Sequence, residues 1–418
     1  CSSILELVMD ELNLYEEILD LSTPWSVEQV NFDKTKKRVD VSVCCDTVMS
    51  LCCPKCHQTS PRYDVRKRSW RHLDTCQFPT WVHAGIPRVE CKEHGVIQID
   101  TPWAEQNSRY TAMFECFVIN WLRESSISAV SRRLNISWNA IDGIMRRAVE
   151  RGLSRRKSCY LKNLAVDEVS SKKGRKYVTI ISNGRGEVIE VSDDRKAESL
   201  VSFYKSCTKT ELNTIQTVSM DMSPSYLSAT KQCLDGWESK VCFDRFHVMK
   251  DLNKAVNDVR RSELTSVPKE FRSPLHKSRF NWFRSQETLD KHHQREIKEL
   301  SAVAVKTARA WSIRQYAATI WDYSSRSWAK KAWMKWYGWA IRSRLKPIKA
   351  QAISIKKNLW GIINAIVHNK NNAGAEGINS QIKVLKVKAR GFRNRERFRL
   401  SVLFHFGGLN LYPEKVPT

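Results

Sequence analysis

The stretch that decides the fold is YLKNLAVDEVSSKKGRKYVTIISNGRGEVIEVSDDRK, residues 160–196. Apolar and β-branched residues alternate with polar ones in three short runs, which are separated by turn-forming residues at 172–174 and 183–186. Such alternation between turns predicts three consecutive strands. Asp167 falls inside the first of these strands, so one carboxylate lies within an otherwise apolar run.

The alternation of strands and helices continues beyond this stretch. A helix is predicted near 197–207, and TIQTVSMD forms a fourth strand that ends at Asp221, just before a helix that begins at Ser223. A fifth strand, in SKVCFD, runs into another helix. This order predicts an α/β domain with an RNase H-like fold, in which the first and fourth strands lie side by side. Asp167 and Asp221 are therefore expected to meet at one edge of the sheet.

The two aspartates require a positive partner, because like charges held close together are unfavourable unless a divalent cation neutralises them. A third oxygen ligand should come from a later helix, and Glu376 is the candidate, at the start of an amphipathic helix. Lys383 and Lys386 lie on the basic face of that helix and are candidate DNA contacts. Any one acid alone would more commonly form a salt bridge. Together, in this basic chain, the three acids predict a site for two Mg2+ or Mn2+ ions.

Three further residues compete for roles at this site. Glu168 adjoins Asp167 but should face the opposite side of the strand. Asp244 and His247, in FDRFH, follow the fifth strand. We interpret them as groups that support the metal ligands or position the substrate.

A second candidate metal site lies nearer the N-terminus. CPKC supplies Cys53 and Cys56, and CKEHG supplies Cys91 and His94. Because each pair is separated by two residues, a tight turn can aim both of its ligands at one ion, which predicts a tetrahedral zinc site. The zinc should be structural, since four protein ligands leave no position for water. The alternative is two unrelated pairs of buried residues.

A helix-turn-helix is predicted in SISAVSRRLNISWNAIDGIMRRAVERGL, residues 126–153. Its apolar spacing fits two helices, with Ser137 as the N-cap of the second. A plain helical hairpin is the alternative, but the basic face favours DNA binding. The residues expected on the exposed face of the second helix are Trp138, Asn139, Asp142, Arg146 and Arg147.

The composition points to a polyanionic partner. The 418 residues include 70 Lys and Arg against 44 Asp and Glu, a formal net charge of +26. Nucleic acid is the commonest partner of such a chain, and a basic protein without that function is the alternative. No stretch has the apolar length needed to span a bilayer, so no membrane association is expected. The 13 scattered cysteines indicate a reducing compartment, and we expect a bacterial cytoplasmic, nucleoid-associated protein.

These patterns divide the chain into six segments. The first three are an N-terminal helix and hairpin (residues 1–50), a loop-rich zinc-binding domain (51–105) and a helix-turn-helix domain (106–160). The other three are the first part of the α/β core (161–259), a Trp-rich helical segment (260–369) and a C-terminal part with a helix and tail (370–418). The tryptophans of the helical segment are interpreted first as core residues. The alternative is a basic surface on which they stack on unpaired bases.

Several long stretches carry a family resemblance. They are CPKC, RSWRHLD, PRVECKEHG, TPWAE, VDEVSSKKGRKYVT, MDMSPSY, FDRFHVMKDLNKAV and AEGINSQIKVLKVKARGFRN. Across nearly its whole length the chain resembles the ISL-three insertion-sequence family of bacterial DDE transposases. The resemblance implies that Asp167, Asp221 and Glu376 are the catalytic triad and that residues 260–369 are an insertion in the core. It also implies that the zinc domain and the helix-turn-helix bind the terminal repeats of the element.

The sequence thus predicts a transposase that binds terminal inverted repeats and catalyses metal-dependent DNA cleavage and strand transfer. In two-metal chemistry one ion activates water or a DNA 3′-hydroxyl, and the other stabilises the leaving oxygen. We expect a homodimer or larger assembly on double-stranded DNA, because two ends must be handled together. The alternatives are a non-catalytic, domesticated regulator that uses only the DNA-binding parts, and a nuclease that acts on RNA hybrids.

Overall fold

The computed structural model describes residues 11–46, 49–156, 160–172, 176–192, 197–369 and 373–415. The chain forms two compact units, residues 1–156 with 409–418 and residues 157–408. Each unit is built around a hydrophobic core of its own. None of the helices in the described ranges combines the length and the apolar character needed to cross a membrane.

The first unit combines a five-stranded sheet with four helices among its described residues. Its elements are α1 (Glu11–Ile18), β1 (Trp25–Asp33), β2 (Arg38–Cys45), β3 (Arg62–Thr75), β4 (Phe78–Cys91), β5 (Gly95–Gln98), α2 (Ala112–Glu124), α3 (Ile127–Leu134) and α4 (Trp138–Ser154). The strand order is β1-β2-β4-β3, with β5 paired to β4. β2 and β4 are parallel, and the other pairs are antiparallel. Residues on both sides of position 50 thus contribute to one sheet, and the domain boundary there stays a prediction.

The expectation that residues 51–105 are rich in loops is wrong. β3 and β4 each contain 14 residues and pair as a long antiparallel hairpin. Along β4, buried Thr80, Val82 and Ala84 alternate with less buried residues such as His83. The less buried residues between these positions therefore lie on the outer face of the strand.

Helices α3 and α4 confirm the predicted helix pair and the turn between them. Asn135 ends α3 in the left-handed conformation, with φ of 51°, which asparagine adopts more readily than most residues. Ser137 caps α4 as predicted, because its hydroxyl accepts a hydrogen bond of 3.2 Å from the Ala140 N–H. Val130 of α3 and Ile141 of α4 are buried, and α2 packs against both helices.

The second unit contains a mixed five-stranded sheet and a long series of helices. Its elements are β6 (Asn163–Lys172), β7 (Lys176–Asn183), β8 (Val188–Ser192), α5 (Ala197–Ser206), α6 (Lys209–Thr214), β9 (Thr217–Met220), α7 (Pro224–Cys233), α8 (Trp237–Lys240), β10 (Val241–Phe243), α9 (Arg245–Glu263), α10 (Lys269–Lys277), α11 (Lys291–Val303), α12 (Val305–Thr319), α13 (Arg326–Arg342), α14 (Lys346–Lys357), α15 (Leu359–Val367), α16 (Ala373–Lys388) and α17 (Arg395–Phe406). Short 3-10 turns stand between α10 and α11 and between α12 and α13.

The sheet of the second unit has the order β10-β9-β6-β7-β8. β6, β7 and β8 are successively antiparallel, whereas β9 runs parallel to β6 on one side and to β10 on the other. The three predicted consecutive strands and the side-by-side first and fourth strands are therefore confirmed. Helix α6 has no counterpart in the predicted order, and the turn expected at 172–174 lies mostly outside the described residues.

The helices after α9 share one core with the sheet. Trp282, Trp333 and Trp336 are fully buried in the same apolar cluster as Val218 and Phe243 of the strands. The interpretation of the tryptophans of residues 321–339 as core residues is confirmed for Trp333 and Trp336. The burial of such large side chains also joins the helical segment firmly to the sheet.

Helix α15 packs against β10, the edge strand of this sheet. The side-chain amide of Asn364 donates to the backbone carbonyls of Glu238 and Val241, at 2.7 and 3.0 Å. Gly361 lies so close to the strand that a Cβ at this position would stand 2.5 Å from Cδ2 of Phe243. Only a residue without a side chain allows this contact.

Gly361→Ala should destabilise the second unit by about 1–3 kcal/mol, because the added methyl group overpacks against the Phe243 ring. Thermal unfolding followed by circular dichroism would show a lower midpoint. Gly374→Ala is the matched control, since no atom lies within 4 Å of a Cβ there and alanine favours a helix. Equal midpoints for wild type and Gly361→Ala would contradict the close packing of α15 on β10.

Candidate active site and zinc centre

The four predicted zinc ligands converge near the open end of the β3–β4 hairpin. The Sγ atoms of Cys56 and Cys91 lie 3.5 Å apart, and Nδ1 of His94 lies 3.6 Å from Cys91 Sγ and 3.7 Å from Cys53 Sγ. All four ligand atoms lie within 4.8 Å of one another. A tetrahedral zinc ion with Zn–S bonds of about 2.3 Å places its ligand atoms roughly 3.8 Å apart, so this set fits the ion.

Two backbone turns aim these ligands. The His57 N–H donates to the Cys53 carbonyl at 2.9 Å, which closes the first turn. His57 and Gly95 directly follow the two ligand pairs and have positive φ values of 59° and 64°. The hydrogen bond with His94 lowers the pKa of the Cys91 thiol to about 6 and thereby favours the thiolate, the form that binds zinc.

The candidate catalytic aspartates extend two parallel strands at matching positions. Ala165 of β6 pairs with Ser219 of β9, and Asp167 and Asp221 each stand two residues further along. Both side chains are half-buried. The carboxyl ends of adjacent parallel strands therefore bring these two residues to the same edge of the sheet.

Asp244 stands at the same edge, after the third parallel strand. Phe243 of β10 pairs with Met220 of β9, and the Asp244 N–H donates to the Met220 carbonyl at 3.0 Å. One Asp244 carboxylate oxygen caps α9 by accepting from the Phe246 N–H at 3.0 Å, and the other accepts from Nδ1 of His247 at 2.9 Å. Asp244 is thus engaged by its own helix and holds the His247 ring in place.

Helix α16 brings Glu376 towards this edge. Asn379, one turn after Glu376, donates from its amide to Oδ2 of Asp167 at 2.6 Å, and α16 packs on β6. Asn379 is not among the site residues predicted from the sequence. Its spacing of three residues from Glu376 is the signal that could find it, because residues three apart share a helix face.

Burial raises the pKa of the Asp167, Asp221 and Glu376 carboxyl groups. The charge of Asp167 raises the pKa of both Asp221 and Glu376 further, and that of Asp244 raises the pKa of Asp167. The positive form of His247 opposes this repulsion, and its own pKa is raised, chiefly by the hydrogen bond to Asp244. Groups from separate elements therefore share one electrostatic environment.

Glu168 adds a further negative charge to this environment. It accepts a hydrogen bond of 3.1 Å from the hydroxyl of Tyr226, which also lies 2.9 Å from the Thr179 hydroxyl. Its charge raises the pKa of Asp221. Tyr226, in the first turn of α7, is a second residue at the site that sequence reasoning does not identify.

The chemistry of these donors fits a hard divalent cation. Carboxylate oxygens are the ligands that Mg2+ and Mn2+ prefer. Oε1 of Glu376 is buried and has no hydrogen-bond partner in the described part of the chain. A bound cation would neutralise the repelling carboxylates and give this oxygen a partner.

A zinc site, a helix-turn-helix and an α/β unit with acidic residues at one edge of its sheet together describe a DNA-binding enzyme. Residues 51–94 match the zinc-finger of transposase IS204/IS1001/IS1096/IS1165, and residues 99–149 match the helix-turn-helix domain of transposase family ISL3. Residues 164–402, more than half of the chain, match the ISL3 DDE family described as a transposase. The chain therefore belongs to the ISL3 family of transposases.

Relatives of known function support this assignment along most of the chain. The transposase for insertion sequence element IS1001 of Bordetella parapertussis is 24% identical over 362 residues, which cover 85% of this chain and 88% of the relative. The transposase for IS1557 of Mycobacterium tuberculosis is 23% identical over 421 aligned residues, with 92% and 93% coverage. The predicted DNA-binding transposase and its structural zinc site are thus confirmed. No observation favours the non-catalytic regulator.

The candidate DNA contacts on α4 differ in exposure. Asn139 is exposed, and Trp138 and Arg146 are half-buried. Asp142 is only 7% exposed, so its predicted place on the outer face is wrong. It stands one position after Ile141 on the side of α4 that enters the core.

Arg147 is engaged inside the first unit. Its Nε donates to Oε1 of Glu115 at 3.1 Å, and Nη2 of Arg151 lies 3.0 Å from Oε2 of the same carboxylate. Glu115 is 1% exposed, so its charge depends on these guanidinium groups. This geometry favours a structural role for Arg147 over the predicted contact with DNA.

The two candidate lysines on α16 also differ. Lys383 is exposed, whereas the ammonium of Lys386 donates to the Ser170 carbonyl of β6. Lys386 therefore helps to hold α16 on the sheet. Its predicted DNA contact stays a prediction.

Arg146→Ala and Arg147→Ala should have separable effects. Arg147→Ala leaves the buried Glu115 with fewer donors and should lower stability by about 1–3 kcal/mol. Arg146→Ala should leave stability unchanged, weaken binding to duplex DNA of the element ends and reduce the slope of log affinity against log salt by about 0.9. Thermal melts and fluorescence anisotropy over a salt series measure the two effects. Weaker DNA binding by a fully stable Arg147→Ala variant would contradict the structural role.

Cys53→Ser should lose the structural zinc and lower the melting midpoint, because the free energy of zinc binding contributes directly to folding. Cys52→Ser is the matched control, since Cys52 is adjacent but exposed and stands outside the ligand cluster. Metal content of the purified proteins and thermal melts check both variants. Equal zinc content in the two variants would show that Cys53 is not a ligand.

Proposed function

We propose that the second unit is an RNase H-like catalytic core interrupted by a helical insertion. Three antiparallel strands followed by two parallel strands, with helices between them, support this fold. In this division the core comprises residues 161–259 and, of the predicted C-terminal segment 370–418, the part that belongs to the second unit, residues 370–408. The insertion comprises residues 260–369. Three segments precede the core: the N-terminal helix and hairpin (residues 1–50), the zinc-binding domain (51–105) and the helix-turn-helix domain (106–160).

Asp167, Asp221 and Glu376 are the catalytic residues and hold two Mg2+ or Mn2+ ions. The observation that carries this assignment is that Asp167 and Asp221 follow paired positions of two adjacent parallel strands, and that Asn379, one turn after Glu376, donates to Oδ2 of Asp167 at 2.6 Å. The charge of Asp167 also raises the pKa of Asp221 and of Glu376. The buried, unpartnered Oε1 of Glu376 is a second support. Bound ions would activate the attacking oxygen and stabilise the leaving oxygen of a DNA phosphodiester.

Neighbouring groups orient these carboxylates. Asp167 accepts from Asn379 and from the Glu168 N–H, and Asp221 Oδ1 accepts from the Ser223 N–H at 2.9 Å. Because a carboxylate oxygen has two lone pairs, each can accept such a bond and still bind a cation.

Asp244 and His247 position the substrate in this proposal. Asp244 holds Nδ1 of the His247 ring, so Nε2 is the nitrogen that can donate to a DNA phosphate. The raised pKa of His247 favours the imidazolium, the form that attracts this anion.

The substrate is the double-stranded DNA of the terminal inverted repeats, which the zinc-binding and helix-turn-helix domains bind. Trp138, Asn139 and Arg146 contact this DNA, and Lys383 contacts the cleaved strand. The products are cleaved ends and, after attack of a 3′-hydroxyl, ends joined to target DNA. The active form is a homodimer or larger, because two ends react together, and it acts on nucleoid DNA in the bacterial cytoplasm.

Asp221→Asn should abolish Mg2+-dependent nicking of end DNA while leaving DNA affinity unchanged.

In metal-free buffer Asp221→Asn should also raise the melting midpoint at pH 7. The pKa of Asp221 is raised in the folded protein, so its carboxylate lowers stability as the pH rises above the ordinary value of about 4. The gain from Asp221→Asn should therefore shrink as the pH falls towards 4.

Mg2+ should raise the melting midpoint of the wild type more than that of Asp221→Asn. Asp258→Asn is the matched control, because this carboxylate is exposed on α9 and should leave nicking and the Mg2+ response unchanged. Nicking at the wild-type rate by Asp221→Asn would refute the catalytic assignment. An equal Mg2+ response in both variants would refute the metal site.

A further inference from the structure

Helix α13 carries an exposed stripe in which tryptophans alternate with basic residues. We define the Trp–Lys stripe as Trp328, Lys331, Lys335, Trp339 and Arg342, all of which are exposed. Their spacings of three, four, four and three residues confine them to about 80° of the helix circumference. The opposite side of α13 is buried through Ala329, Ala332, Trp333, Trp336 and Ala340. The tryptophans of this helix thus divide into a core set and a surface set.

The two surface tryptophans are not among the buried residues of the core. Trp328 is 60% exposed and Trp339 is 39% exposed, whereas Trp333 and Trp336 are at most 1% exposed. Nζ of Lys331 lies over the Trp328 ring, 5.3 Å from its centroid. An ammonium group over one face of an exposed indole makes a site suited to a flat, electron-rich ring with a nearby negative charge.

The charged residues of α13 and of the segment that follows it are all basic. Residues 323–375 contain 11 Lys and Arg and no Asp or Glu, although acids account for 44 of the 418 residues in the whole chain. Within the described residues, Lys331, Lys335 and Arg342 form no ion pair with a carboxylate. This surface therefore favours a polyanion over an apolar or basic protein partner.

The stripe begins near the candidate active site. Arg245, which directly follows Asp244, lies 3.8 Å from the carboxylate of Asp322, just ahead of α13. Arg326, in the first turn of α13, donates at 2.9 Å to Asn364, the residue that anchors α15 to β10. These contacts fix the N-terminal end of the stripe relative to the strand that leads to Asp244.

We propose that the Trp–Lys stripe binds unpaired single-stranded DNA, with bases stacked on Trp328 and Trp339 and phosphates beside Lys331, Lys335 and Arg342. The two tryptophans are 11 residues apart, which corresponds to about 16 Å along the helix and allows one strand to contact both. Unpaired bases offer a free ring face, whereas the bases of a duplex are already stacked on one another. The stripe thus selects a DNA strand that has separated from its partner near the site of cleavage, an inference that rests on the proposed function.

The test measures binding of a labelled single-stranded oligonucleotide and of the same sequence as a duplex, by fluorescence anisotropy in EDTA. Trp328→Ala and Trp339→Ala should each weaken single-strand binding about 5- to 100-fold, the range set by base–aromatic stacking. Trp328→Phe should retain most of the affinity, because a phenyl ring still stacks. Duplex affinity should stay unchanged in all three variants.

Lys331→Ala should reduce the slope of log affinity against log salt for the single strand by about 0.7. Lys298→Ala is the charge control, since Lys298 is exposed on α11, outside the stripe, and should leave single-strand affinity unchanged. Thermal melts confirm folding, which substitution of an exposed Trp328 should not disturb.

Three results would overturn the proposal. The first is unchanged single-strand binding by both tryptophan variants. The second is equal loss of duplex and single-strand binding, which would indicate a phosphate contact without stacking. The third is a change of oligomeric state instead of DNA affinity, which would indicate an interface between copies of the chain. The assay contains no divalent metal, so it also distinguishes failure of the stripe from failure of the proposed catalytic site.

Discussion

Electrostatic repulsion among acids at one sheet edge is the constraint on which the second unit depends. Parallel pairing of β9 with both β6 and β10 brings Asp167, Asp221 and Asp244 to the same edge. Burial there makes the charged forms more costly, which the raised pKa values of Asp167 and Asp221 reflect. The protein offsets part of this cost with His247, and a divalent cation would offset the rest. Under the proposed catalytic assignment, the fold thus accepts reduced stability at the position where the chemistry requires charge.

Such a site works only if its helices are held to the sheet within a fraction of an ångström. Two asparagine amides provide this restraint at opposite sides of β9. Asn379 joins α16 to Asp167 of β6. Asn364 joins α15 to the carbonyl of Glu238, which precedes β10, and to that of Val241, its first residue. Gly361 lets α15 approach β10 closely enough for the second contact. The helices that follow α9 are therefore part of the same rigid core as the carboxylates.

Local patterns in the sequence predict much of this arrangement. The spacing of Cys53 and Cys56 identifies half of the zinc site, and Ser137 identifies the start of α4. Long-range side-chain partners escape such patterns. The engagement of Arg147 depends on Glu115, 32 residues earlier in the chain, and no periodicity reports that contact. The exposure of Trp328 is likewise not evident from its spacing until the buried face of α13 is known.

Segregation of charge links the two proposed functional surfaces of the second unit. A chain with a net charge of +26 would draw DNA to any part of its surface, and surface acids would ordinarily moderate this attraction. Acids are instead absent between Asp322 and Glu376, and the run ends at the residue we assign to the metal site. No carboxylate from residues 323–375 would therefore repel a DNA strand that approaches the acids at the sheet edge. Because carboxylates repel phosphates unless a cation intervenes, approach of DNA to the acids at the sheet edge would depend on bound metal under the proposed assignment.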